Sequence, residues 1–181
     1  MDIQVVLALA NSHRLTELAR EWLGGAAIPF RATLFEKSHR ANWLIPWRQD
    51  TALPLTTRFE GKDWGPWSEK AGAIYAHAPA WALSRIVALR IHLDSSNVDN
   101  GPLRVIPGWH RQGVLSDQGI LRYASTHEGV ACLTERGGVI AMRPLLIHSS
   151  SKAQSVEPRR VLHIEYADSL NLDGDIQLAV V

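Results

Sequence analysis

The chain predicts a mainly-β fold, a double-stranded β-helix (jelly roll) with an N-terminal helix packed against its outside. Three observations predict it. Short segments rich in β-branched and aromatic residues recur from residue 29 onward, divided by Gly, Pro, Asn and Ser. One helical period stands ahead of them. No internal repeat or low-complexity tract points to another architecture. With 181 residues, the chain reads as a single domain, 1–181, large enough for a core of its own.

The opening stretch, MDIQVVLALANSHR, carries a short apolar run. It lacks a basic flank and a small-residue cleavage site, so it does not read as a signal peptide. Residues 12–23 read as a helix. Leu15, Leu18, Ala19 and Trp22 form one apolar stripe, and Gly24-Gly25 supplies the stop. Strands follow over 29–36, 47–56, 86–94, 102–106, 130–134, 138–142, 145–149 and 159–167. Asn100-Gly101-Pro102, Pro107-Gly108 and Arg136-Gly137-Gly138 mark the clearest turns. Residues 59–80 are long for a connection and hold Trp64, Trp67 and Tyr75, which suggests a lid over a pocket. The tail after Ala167 carries no pattern.

Composition narrows the function classes. The net charge is +1 and no Lys/Arg run exceeds two residues, so neither nucleic acid nor a membrane surface is an expected partner. No apolar stretch approaches the roughly 20 residues of a membrane span. The lone Cys132 excludes an internal disulfide and fits a cytoplasmic protein; flanked by Ala131 and Leu133, it reads as a small buried hydrophobe. Nothing in the sequence sets an oligomeric state.

The chemistry gathers around NWLIPWRQD, residues 42–50. Non-haem iron oxygenases hold their metal on two histidines and one carboxylate, leaving one face open. A His-x-Asp pair suits this role because residues i and i+2 of a strand share a face. Here the pattern is Arg48-Gln49-Asp50, with a distant His148 and then Arg159 eleven residues on. Arg48 stands where a His is expected. A guanidinium has no lone pair to give a metal and stays protonated. One reading pairs Arg48 with Asp50, so that its positive charge fills the metal space. The other swings Arg48 outward and leaves iron on Asp50, His148 and water, or on a substitute such as His92.

Four blocks in order carry a family resemblance: LFEKSHRANWLIPWRQD (34–50), LRIHLDSSNVDNGPLRVIPGWH (89–110), RGGVIAMRPLLIHSSS (136–151) and RRVLHIEYA (159–167). Together they resemble the phytanoyl-CoA dioxygenase (PhyH-like) family of Fe(II)/2-oxoglutarate-dependent oxygenases, which share the cupin-like jelly roll. The resemblance implies Fe(II) and 2-oxoglutarate as cofactors, O2 as co-substrate, and hydroxylation of a small organic molecule. It implies Asp50 and His148 as metal ligands and catalytic residues, and Arg159 as the grip on the far carboxylate of 2-oxoglutarate. Gln49 and Ser150 are further 2-oxoglutarate contacts by the same resemblance. Arg160, one residue from Arg159 on a strand, faces the other way.

His92-Leu93-Asp94 repeats the His-x-Asp spacing, but it lies in a strand that the family sets beside the site without ligands. Asp94 before Ser-Ser-Asn also suits a turn. His13, His39, His77 and His127 read as solvated or capping, His110 as a turn anchor, and His163 as a hydrogen-bonded core residue. The alternative to an oxygenase is an inactive family member that binds a 2-oxo acid without iron chemistry. A cupin-like metal isomerase or small-ligand binder is a third reading, weakened by the lack of His clusters on neighbouring strands. No phosphate cradle suggests coenzyme A. The chain is short at its N-terminus for this family, and specificity is expected in the loops 59–80 and 107–128.

Overall fold

A computed structural model describes residues 2–38 and 40–181; His39 lies outside the described residues. The chain runs α1 (Ile3–Ala10), α2 (His13–Leu23), β1 (Ile28–Lys37), β2 (Ile45–Arg48), β3 (Ala52–Leu55), β4 (Trp67–Lys70), β5 (Ala73–His77) and α3 (Ala80–Ser84). It continues with β6 (Ile86–His92), β7 (Leu103–Val105), a 3-10 turn (Trp109–Gln112), α4 (Asp117–Thr126), β8 (Val130–Cys132), β9 (Val139–Met142) and β10 (His148–Ser150). It ends with β11 (Arg159–Ala167), β12 (Asn171–Asp173) and β13 (Ile176–Gln177).

Two four-stranded antiparallel sheets make the jelly roll: β1-β11-β6-β9 and β2-β10-β7-β8. A three-stranded sheet, β3-β5-β4, extends one end, and β12 and β13 form a small hairpin. In the first sheet the strand alternation separates two surfaces. Val87, Leu89 and Ile91 of β6, with Leu162, Ile164 and Tyr166 of β11, face outward and pack under Ala10, Leu15 and Ala19 of the helices. Burying a side chain such as Leu89 or Ile164, both fully covered, stabilises by about 1.5–3 kcal/mol. The alternate residues, including Arg90 and Glu165, face the second sheet.

The jelly roll with an N-terminal packing helix is as expected, with differences in detail. Two helices lie outside the sheet instead of one. The second begins at His13 and ends at Gly24, whose left-handed φ of +76° lets its N–H reach the Arg20 carbonyl. Trp22 does not join the stripe and is half exposed; Leu23 packs in its stead. The strand expected over 47–56 is two strands, β2 and β3, in different sheets, and Asp50 sits at the corner between them.

Residues 59–80, expected as a lid, are an ordered, packed segment. Much of the segment is the β4–β5 hairpin; Phe59 meets Trp64 and Trp67 edge-to-face, and all three pack against the cluster around Leu53, Leu55 and Leu83. The C-terminal hairpin joins that cluster through Leu172 and Leu178. Among the described residues, no helix is long and apolar enough to cross a membrane.

Candidate functional site

Between the two sheets lies a cavity of about 430 Å3. The second sheet, with the corner that follows β2, delivers Arg48, Asp50 and His148 to its wall. The first delivers Arg31, Lys37, Arg90 and Arg159. Arg48 is the antiparallel partner of His148, which brings the 42–50 stretch and the distant histidine together across one pair of strands. The corner is fixed by the Asp50 N–H, which donates to the Pro144 carbonyl at 2.9 Å.

Asp50 Oδ2 stands 3.5 Å from His148 Nε2. His148 Nδ1 lies 2.9 Å from the Leu146 carbonyl, which can only accept, so Nδ1 carries the hydrogen. In the neutral ring the Nε2 lone pair then faces the carboxylate. Two acceptors facing each other at that distance make a place that suits a metal ion. A backbone carbonyl fixing the tautomer of a ligand histidine is a common support for metal binding. The donor set therefore fits a divalent metal with two protein ligands. Among the described residues no third His, Cys, Asp or Glu joins them.

Arg48 Nη2 lies 3.5 Å from Asp50 Oδ1, and its side chain is 56% exposed. That is a loose pair in solvent, of a kind worth about 0–1 kcal/mol. Arg48 thus stands beside the metal pair without being buried in it, between the two placements expected for it. His92 is not brought to the pair. It is 1% exposed, with neither ring nitrogen hydrogen-bonded. Burial, then the Arg90 and Arg159 charges, push its pKa down to about 4, so the ring is neutral. Asp94, the other half of that motif, accepts three hydrogen bonds from Arg160 at 2.8–2.9 Å on the outer surface.

A second pole forms around Arg159, which is 3% exposed. Its Nε donates to the Asn100 carbonyl at 3.1 Å and its Nη2 approaches Ser150 Oγ at 3.5 Å. Its Nη1 is buried without a partner. Asn100 is locked in its turn by donating to the Ser95 carbonyl. Gly101, at φ +66°, admits no side chain, because a Cβ there would lie 2.4 Å from the Ser151 carbonyl. The Asn-Gly-Pro turn thus frames the arginine. Ser150 Oγ donates to the Gly101 carbonyl at 2.8 Å, within the same frame.

Lys37 belongs to this pole and was not singled out from sequence. It pairs with Arg159 across β1 and β11, is 2% exposed, and donates to the Ser150 and Ser151 carbonyls. Burial, then the Arg159 charge, push its pKa down to about 8. The signal that could have found it is the alternation Arg31, Phe35, Lys37 along β1, opposite Glu165, Val161 and Arg159.

Gln49 does not reach the cavity. Its Nε2 donates to the Gly113 and Leu145 carbonyls, at 3.0 and 2.8 Å, and its Oε1 accepts from the Leu115 N–H at 2.9 Å. With every group engaged, it ties the loop after the 3-10 turn to the end of β2. From the hairpin at 67–77, Lys70 and Tyr75 line the cavity.

Deeper in the first sheet, Arg31 and Glu165 are in direct ion contact, although the Arg31 Nε–H is not aligned for a hydrogen bond. Burial pushes the Glu165 pKa up to about 7, against the pull of Arg31. Arg90 Nη1 donates to His163 Nδ1 at 3.1 Å, and burial followed by the Arg90 and Arg31 charges holds that histidine neutral.

The family model for phytanoyl-CoA dioxygenase (PhyH) matches residues 3–161. L-proline trans-4-hydroxylase of Streptomyces griseoviridis is 27% identical over 191 residues, covering 90% of this chain and 63% of that protein. Among solved structures, EctD from S. alaskensis with bound Fe superposes with a TM-score of 0.67 at 23% identity, covering 91% of this chain and 53% of EctD. AviO1 from Streptomyces viridochromogenes Tue57 superposes at 0.63 and 24%, covering 88% and 59%. The chain thus spans less than two thirds of the length of these relatives.

Proposed function

From the premise that the chain belongs to the phytanoyl-CoA dioxygenase family, we propose that it is an Fe(II)/2-oxoglutarate-dependent oxygenase that hydroxylates a small organic substrate. The observation that carries this reading is the pair of opposed acceptors, Asp50 Oδ2 and His148 Nε2, 3.5 Å apart with the ring tautomer fixed by Leu146. These two residues would hold the metal. The relatives add support: EctD is described with Fe, and with 2-oxoglutarate and 5-hydroxyectoine.

When bound, Fe(II) with 2-oxoglutarate and O2 supplies the oxidising chemistry for breaking an unactivated C–H bond. The chain's own residues position the reactants. Arg159 offers the far carboxylate of 2-oxoglutarate its unpartnered Nη1–H, and Lys37 adds a second positive charge beside it. Ser150 steadies Arg159 from below. Phe35, Trp43, Ile45 and Leu103 give the cavity an apolar wall, against which the body of a small substrate packs.

A second reading, binding of a 2-oxo acid without iron chemistry, is favoured by one observation: Arg48 places a permanent positive charge beside Asp50. Anaerobic Fe(II) titration with 2-oxoglutarate, on the unaltered protein and on Arg48→His, separates the two. The oxygenase reading expects an iron–2-oxoglutarate charge-transfer band in both proteins, with tighter iron binding in Arg48→His. A band in Arg48→His alone moves the conclusion to the second reading. Silence from both proteins ends the assignment of Asp50 and His148 as ligands.

A further inference from the structure

The cavity wall is far more positive than the chain. Arg31, Lys37, Arg48, Lys70, Arg90 and Arg159 face it, against the carboxylates of Glu36 and Asp50 alone, while the whole chain nets +1. Glu165, in contact with Arg31, offsets one more of these charges when ionised. Such an excess focuses the field on anions. Arg31 is taken up by Glu165, and Arg90 by His163 and by the face of Phe35. Arg31 and Arg90 each keep a buried Nε without a hydrogen-bond partner, but their charges are already engaged; two other places keep donors to spare. One is the Arg159 pole, with its buried unpartnered Nη1. The other is Arg48, whose one carboxylate contact is long and whose side chain is largely exposed.

The two lie on opposite sides of the same space. Arg48 pairs with His148 across β2 and β10, whereas Ser150, two residues along β10, meets Arg159 from the facing sheet. One same-face step along a strand is roughly 7 Å. A chain of four C–C bonds, each about 1.5 Å, reaches across a gap of that order. Both ends of the gap present planar guanidinium groups, which match a carboxylate with parallel N–H donors.

We propose that Arg48 and the Lys37–Arg159 pair are the two ends of a clamp that captures a short dicarboxylate, with 2-oxoglutarate as its type, in the absence of any metal. Arg48 grips the carboxylate next to the oxo group, and Arg159 with Lys37 grips the far one. The arginine in the place of the missing histidine is then a ligand-binding residue. The proposal rests on the reading that this cavity takes a 2-oxo acid, and it is tested without iron.

The experiment is calorimetric titration of the whole protein in EDTA with 2-oxoglutarate, and with 2-oxopentanoate, which lacks the far carboxylate. Circular dichroism checks that each variant is folded; Arg48 is exposed, so Arg48→Gln is expected to fold normally. The clamp requires 2-oxoglutarate to bind in EDTA and both Arg48→Gln and Arg159→Gln to weaken it about tenfold or more. It requires 2-oxopentanoate to bind more weakly, with a dependence on Arg48 that survives and a dependence on Arg159 that vanishes. Unchanged affinity in Arg48→Gln overturns the clamp. Binding that appears only when Fe(II) replaces EDTA also overturns it, while leaving the oxygenase reading intact. No binding of 2-oxoglutarate under either condition sinks the underlying reading of the cavity as well.

Discussion

The two faces of the first sheet are made from the same strands, yet they follow opposite rules. Leu89 and Arg90 are neighbours on β6, as Ile164 and Glu165 are on β11. Outward, where the helices cover it, the sheet is apolar and closed. Its one buried side-chain polar group, the Tyr166 hydroxyl, donates to the Ala10 carbonyl at 2.9 Å. Inward, Arg90, His92, Arg159, His163 and Glu165 are all buried. Arg90 Nε, both nitrogens of His92 and Arg159 Nη1 lack partners there. Leaving a buried polar group unsatisfied costs about 1–3 kcal/mol. The outer face therefore carries the stability that lets the inner face keep unmet hydrogen-bonding capacity, and that capacity is what a ligand can use.

The largest expected effect breaks the outer face. Leu89→Ala empties a site that is fully covered by the helices, and should cost about 2–5 kcal/mol in urea denaturation. On the proposed reading, the folded fraction should bind 2-oxoglutarate with the affinity of the unaltered protein. Affinity falling in step with stability would show that the two faces are not separable.

A smaller effect probes the inner face. Arg31→Met leaves Glu165 without its ion partner. Because this carboxyl can take a proton, the cost should be roughly 1–3 kcal/mol near pH 8, below that of a buried charge with no escape. Its folded pKa of about 7 already lies above the usual 4.5. The raised pKa therefore contributes stability that is complete below about 4.5 and is lost as pH rises through 7. Without Arg31 the shift is larger, so the deficit should grow from pH 5 to pH 8. Adding Glu165→Gln should remove that pH dependence. A deficit that is flat with pH would place the damage in packing.

Much of this arrangement could be read from residue order, because the long strands β6 and β11 of the first sheet alternate in facing and are rich in Val, Ile and Leu. The pleat allows only one of Arg159 and Arg160 to face inward, the family spacing chose Arg159, and the structure sends the two to opposite faces. The same rule, applied to Arg48-Gln49-Asp50, sends Gln49 away from its neighbours, so its expected role beside 2-oxoglutarate conflicted with local geometry from the start. Helix α1 was hidden because IQVVLALA has no polar face and carries two adjacent valines, a composition that fits strand as well as helix. Helix α4 was hidden because it has Gly119 in its first turn and buries only Ile120. Lys37 was invisible for a different reason. A lysine ending a strand reads as solvent-facing, and only pairing with Arg159 across the sheet shows it to be buried.

Lys37 gives the smallest and sharpest test of the inner face. Burial and the Arg159 charge hold its pKa near 8, below the usual 10.5, so near pH 9 most of the free protein carries a neutral amine. A bound carboxylate favours the ammonium form, and binding above pH 8 must therefore take up a proton. Affinity for 2-oxoglutarate should be nearly constant below pH 7 and fall several-fold, at most about tenfold, between pH 7 and pH 9. Titrations in buffers of different ionisation enthalpy would detect the proton directly. In Lys37→Met the affinity should be lower and flat across this range, because Arg159 keeps its charge. A slope that persists in Lys37→Met would assign the proton to another group and remove Lys37 from the carboxylate site. A flat profile in the unaltered protein would mean that the Ser150 and Ser151 carbonyls, rather than a ligand, are what this lysine is held there to meet.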